Sequence, residues 1–224
     1  MSESNAQERT IAFLSLKHEP YFDEMYLNLV ADLNQDAMVD RLASHSGAIA
    51  YLSHCTPDVV LVTDAGVAGE HNKDVLDLLK NYTFHGGTTV FGCTFSSHIR
   101  PPVADALFAL FDKPWKFGSY TREDTRLRKS SALEKHWKEN QSRKPASNNP
   151  FYKPPVRDLK QEYSQKAVFL SGVTKGDSVY YPVNESQGAA AAVWAKCENG
   201  RIGYVGDVNG EEGSRNVVLA MCGL

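Results

Sequence analysis

Apolar and polar positions alternate between two distinct rhythms along this chain. Thr10-Ile11-Ala12-Phe13-Leu14-Ser15-Leu16 is an almost unbroken apolar run, the pattern of a strand covered on both faces of a parallel sheet. Asp58 to Thr63 and Thr88 to Phe91 repeat it, and Met38 to Leu42 is a shorter candidate. Between these runs the rhythm becomes helical. Phe22, Met25, Tyr26, Leu29, Val30 and Leu33 share one face of a helix predicted from Pro20 to Asn34. A small helix is predicted over Ser46 to Cys55, and Asn72 is placed to cap another that carries Val75, Leu78, Leu79 and Tyr82. Pro101-Pro102 opens a fourth, with Val103, Leu107, Leu110 and Phe111 on one side.

Beyond Pro114 the regular pattern stops. Lys129 to Glu162 is polar and proline-spotted, and reads as a long surface excursion with one short helix around Leu133 to Asn140. Order returns at Ala167 to Leu170. In AAVWAKCENGRIGYVGD two alternating runs flank Asn199-Gly200, a dipeptide favoured in tight hairpin turns. A closing helix over Ser214 to Met221 buries Val217, Val218 and Met221. Strands alternating with helices predict a three-layer α/β fold with a mostly parallel sheet and a late antiparallel hairpin.

At 224 residues the chain is long enough for one large α/β domain and short for two, so a single domain over 1–224 is expected, with a basic insertion at about 122–166. That insertion holds 12 Lys+Arg against 6 Asp+Glu, although the whole chain carries −3. It also holds Trp137, Phe151, Tyr152 and Tyr163, the composition of a nucleic-acid contact; with the rest of the chain acidic, a solvated excursion or dimer arm is the expected reading, without nucleic acid. The polar start and the absence of any run of membrane-spanning length point to a cytoplasmic protein. Cys55, Cys93, Cys197 and Cys222 are scattered without a CxxC pair, which argues against a zinc site and a disulfide framework. Neither a metal nor a cofactor is expected.

In open parallel sheets ligands bind beyond the carboxyl ends of the strands. Those ends carry Lys17, His18 and Glu19; Asp64 and Gly66; Gly92 to His98; and Asp207, Asn209, Glu211 and Glu212. Cys93 stands where strand gives way to turn, the placement of a nucleophile elbow, and equally that of a small buried apolar side chain. As a nucleophile it needs a base, His98 or His18, oriented by Glu19 or Asp207. Thr94, Ser96, Ser97, Asp64 and Asn209 would then bind a small polar substrate; alternatively the hydroxyls and Asp207 simply cap helices. Two functions remain open: a cysteine-dependent hydrolase or lyase, and a non-catalytic ligand-binding or assembly protein. A homodimer is the expected oligomer, symmetric dimers being the commonest.

VVLVTDAG, GGTTVFGCTFSSH and GRIGYVGDVNGEEGS together resemble the class I glutamine amidotransferase-like superfamily, especially its ThuA-like branch. The resemblance implies a flavodoxin-like sheet with any nucleophilic cysteine at the position of Cys93. PfpI-type members add an acid from the first strand end, a role open to Glu19. Phe91 and Phe95 occupy the glycine positions of the family's G-x-C-x-G, no histidine follows His136 to form the late His-x-Glu, and Thr94 replaces the PfpI histidine. Gly206-Asp207 stands where ThuA-like proteins tend to show Gly-His, so glutaminase activity is not expected.

Overall fold

Each buried apolar run becomes a strand, and each helical stripe turns its apolar side onto the sheet so formed. A computed structural model describes residues 9–129, 131–141, 158–184 and 188–224. The first half alternates β1 (Arg9–Leu14), α1 (Phe22–Met25), α2 (Leu27–Asp36), β2 (Ala37–Leu42), α3 (His45–His54) and β3 (Val59–Val62). It continues with α4 (Lys73–Phe84), β4 (Thr88–Phe91), α5 (Phe95–His98) and α6 (Pro101–Leu110). The second half holds β5 (Lys116–Leu127), α7 (Ala132–Gln141), β6 (Glu162–Ser171), β7 (Ser178–Pro182), β8 (Ala192–Cys197), β9 (Gly200–Val205) and α8 (Glu212–Met221).

Among the described residues nine strands make one sheet, in the order β2-β1-β3-β4-β9-β8-β7-β5-β6. The pairs from β2 through β9 are parallel, and those from β9 outward through β8, β7, β5 and β6 are antiparallel. Because strand side chains alternate, β1 sends Ile11 and Phe13 to one core and Ala12 and Leu14 to the other. The first core is closed by Leu29 and Leu33 of α2 and by Val217 to Met221 of α8. Ala48 of α3, Leu79 of α4, and Leu107 and Phe108 of α6 close the second. Each Leu, Val, Phe or Met among these contributes about 1.5–3 kcal/mol by leaving water. The result is the three-layer α/β sandwich expected, compatible with a flavodoxin-like fold.

Three expectations change in detail. The single helix from Pro20 to Asn34 divides at Tyr26, whose φ of −105° and ψ of 19° end α1 and begin α2. Asn72 precedes α4 but does not cap it; its amide donates to the Gly66 carbonyl at 2.7 Å. The segment at 122–166 begins inside β5 and ends inside β6, and these two strands pair antiparallel. The β5 pattern hides because its outward side chains are solvated and only Thr125 and Leu127 are buried. The predicted short helix is α7, with Leu133 buried and Trp137 packed on the first core. Phe151 and Tyr152 lie outside the described residues.

One further connection positions the site. Strand β6 curls back to the chain leaving β9: Val168 N–H donates to Gly206 O at 2.9 Å, and Val208 N–H donates to Lys166 O at 3.0 Å. Gly206 is required there, since a Cβ would collide with the Val168 carbonyl oxygen. Among the described residues no helix is long and apolar enough to cross a membrane.

Candidate functional site

The turn after β4 is tightly held. Gly92 N–H donates to Val62 O at 3.1 Å, Phe95 N–H donates to Gly92 O at 3.1 Å, and the Thr94 hydroxyl donates to Thr63 O at 2.8 Å. Within it Cys93 adopts a φ of +56°, the left-handed region, which for a non-glycine residue costs about 1–3 kcal/mol. The turn therefore has the backbone shape of an elbow. It aims the Cys93 side chain inward, and the residue is only 3% exposed.

Cys93 is part of the lining of a cavity of about 350 Å³ between α1, α2 and the start of α8. Its buried walls are Tyr26, Leu29, Cys93, Val205, Asp207, Ser214 and Val218, and Met25, Asn28 and Glu212 form an exposed rim. Asp207, 3% exposed, stands at the end of β9 and binds the loop that leads into α8. Its Oδ1 accepts from Asn209 N–H at 2.9 Å and its Oδ2 from Glu211 N–H at 2.7 Å. Burial raises the Asp207 pKa above the ordinary carboxyl value, partly offset by those two N–H donors.

Tyr26 is 6% exposed, and its hydroxyl has no hydrogen-bond partner among the described residues. Burial raises its pKa strongly, and the nearby Cys93 and Asp207 add to the shift. The Cys93 thiol is likewise pushed far up, first by burial and then by Cys222, Asp207 and Asp64. At neutral pH the cavity thus presents a neutral thiol and a neutral phenol beside the Asp207 carboxyl group, with Glu212 and Arg215 also in its lining. Ser214, at the mouth of α8, is tied into a buried network: its hydroxyl meets Tyr163 Oη at 3.0 Å and Gln165 Oε1 at 3.4 Å, and Gln165 Nε2 donates to Thr125 at 2.7 Å. Ion pairs Arg122–Glu211, at 2.8 Å, and Lys160–Glu212 join the β5–β6 ribbon to the same rim.

The residues expected at the site divide into separate groups. Cys93 and Asp207 meet in the cavity, whereas no histidine lines it. His98 and Glu19 do come together, at 3.7 Å, but the other His98 nitrogen is engaged by Tyr21 Oη at 2.6 Å on the surface. His18 lies beside Asp23 at 3.8 Å. Asp64 organises a turn, accepting from Ser15 Oγ, Lys17 N–H and Gly66 N–H. Ser96 Oγ donates to Gly206 O at 3.2 Å, and Ser97 and Asn209 are exposed. Thr94 and Ser96 therefore hold backbone in place. All four cysteines are free, and among the described residues no cluster of His, Cys, Asp and Glu is arranged to hold a metal ion.

Tyr26, Ser214 and Arg215 line the cavity without having been singled out in the sequence. Tyr26 sits on the apolar stripe of its helix, where an aromatic residue reads as packing. The one available signal is its polar hydroxyl, which needs a partner once buried.

No protein-family model matches the chain, and no curated protein sequence matches it significantly. Solved structures do share its fold. A ThuA-like protein from Bacteroides uniformis superposes with a TM-score of 0.56 at 9% identity, over 99% of this chain and 92% of that one. Another from Parabacteroides merdae gives 0.54 at 12% identity, over 96% and 88%. The β-galactosidase from Bacillus circulans sp. alkalophilus gives 0.56 at 11% identity; the chain is covered over 96% of its length and spans only 30% of that enzyme. At these identities the likeness is one of fold alone.

Proposed function

We propose that this chain binds a small polar molecule in the cavity between Tyr26, Cys93 and Asp207, and does not transform it. The observation that carries this reading is Tyr26, which lines an open cavity and whose buried hydroxyl has no hydrogen-bond partner among the described residues. Such a group costs about 1–3 kcal/mol when unsatisfied, and a ligand that hydrogen-bonds to it recovers that cost. Nucleophilic catalysis by Cys93 needs a thiolate and a base within reach. Burial opposes the first, and the lining supplies no imidazole for the second.

A thermal-shift screen of small polar molecules against the wild type and Val218→Trp, which fills the cavity, tests the proposal. Compounds that bind the folded state raise Tm, and the expected hits lose their effect in Val218→Trp. Hits that persist undiminished in that variant would place binding elsewhere. Turnover of any hit that disappears in Cys93→Ser would replace binding with catalysis.

A further inference from the structure

One side of the cavity is made by Asp207, Gly210, Glu212, Ser214, Arg215 and Val218, and three of these belong to the first turn of α8. Glu211 precedes that turn and makes no side-chain capping bond. The first N–H groups of a helix lack intrahelical partners, so a turn of this kind opens before the middle of its helix does. Besides the Asp207 carboxyl, which takes Glu211 N–H, the β5–β6 ribbon holds it. Among the described residues no member of β5 or β6 lines the cavity, yet both strands grip residues 211–214. Arg122 of β5 pairs with Glu211 at 2.8 Å, and Lys160, just before β6, pairs with Glu212. Tyr163 of β6 meets the Ser214 hydroxyl at 3.0 Å, and its ring lies so close over Gly213 that a Cβ there would come within 2.6 Å of it. That ring is itself set edge-on against Tyr180, 5.0 Å between centroids.

Resting on the ligand-binding reading above, we propose that the β5–β6 ribbon is a strap that regulates entry to the cavity. Engaged with residues 211–214, it keeps the start of α8 close to α1 and α2 and the cavity narrow around Cys93. Released, it lets the first turn of α8 swing out and small molecules reach the thiol. Both ion pairs are exposed, so each is weak and screened by salt, which makes the strap responsive to ionic strength. The Tyr163 contacts give it a fixed seat to return to. Further along the same turn, Arg215 reaches Asp32 of α2 at 3.5 Å, so the strap and α2 hold the turn from opposite sides.

Alkylation by iodoacetamide at fixed pH, mapped by mass spectrometry, tests the strap, because a buried thiol reacts in proportion to the population of its open form. Cys93 is read beside two buried controls, Cys197 in the core on the other face of the sheet and Cys222 at the far end of α8. Arg122→Gln/Lys160→Gln leaves the buried contacts in place and should speed Cys93 by about threefold, with both controls unchanged. Added NaCl should speed Cys93 in the wild type and not in this double variant; iodoacetamide is uncharged, so salt does not steer it. Gly213→Ala pushes a Cβ into the Tyr163 ring and should speed Cys93 by about tenfold. If Gly213→Ala does not fold, the double variant decides alone. Cys93 gaining no more than Cys197 or Cys222, or a salt response that survives loss of both ion pairs, overturns the strap. None of these rates involves a ligand, so the screen with Val218→Trp still judges binding separately.

Discussion

Two polar clusters lie over the same end of the sheet, and they differ in what surrounds them. Tyr26, Cys93 and Asp207 are buried along the cavity, whereas Glu19, Tyr21 and His98 meet at the surface. The surface group has the residue types of a catalytic relay: a carboxylate beside an imidazole that touches a phenol. Water screens it and its partners are already satisfied, so it has little left to offer a ligand. The buried group has fewer titrating side chains, but each keeps unused hydrogen-bonding capacity in a region of low dielectric, where such capacity is worth more. Chemical suggestiveness and energetic leverage are separated in this molecule. The second belongs to the cavity.

The largest expected contrast is in thiol reactivity. Native protein treated with iodoacetamide should modify exposed Cys55 first, with Cys93 slower by about a hundredfold or more, because its thiolate is disfavoured and its sulfur shielded. Peptide mapping by mass spectrometry reads both sites in one sample. Equal rates would put Cys93 in the same class as the surface group and remove the distinction.

A smaller effect should appear in stability against pH. The Asp207 carboxyl has its folded pKa raised from 3.8, so its contribution is fully present below that value and is lost as pH rises through the higher folded pKa. Asp207→Asn removes this loss. In urea unfolding the variant should therefore gain on the wild type as pH increases upward from about 3.8. A constant difference across that window would mean that the carboxyl is better solvated than its surroundings indicate.

The smallest effect belongs to the surface cluster. Glu19→Gln should change folding stability by no more than about 0.5 kcal/mol. It should also lower the Tyr21 pKa, because Glu19 is the second cause of its rise after burial. Ultraviolet titration of tyrosinate in the Glu19→Gln and Glu19→Gln/Tyr21→Phe proteins isolates that transition. A loss of several kcal/mol would make the outer cluster structural.

The parallel half was legible because burial on both faces leaves β1, β3 and β4 as continuous apolar runs of strand length. The hairpin β8–β9 was legible through Asn199-Gly200. Strand β5, KFGSYTREDTRL, was hidden because its charged positions face solvent along an antiparallel ribbon, where pairing is made by the backbone and leaves little mark on composition. Cys93 and Asp207 were found as strand-end residues, and the structure does bring them together. Tyr26 escaped because helical spacing gives the face of a side chain but not what its tip meets. His98 beside Glu19 was one of the base and acid combinations left open; its direction, away from the thiol and toward Tyr21, depends on α1, and nothing local to His98 specifies it.

Strand β6 donates a backbone hydrogen bond to Gly206 and accepts one from Val208, on either side of the cavity's acid. The floor of the pocket is thereby stitched to the β5–β6 ribbon. Any force that levers β6 away from 206–208 therefore pulls on the backbone of Asp207, so strain applied at the ribbon reaches the cavity wall.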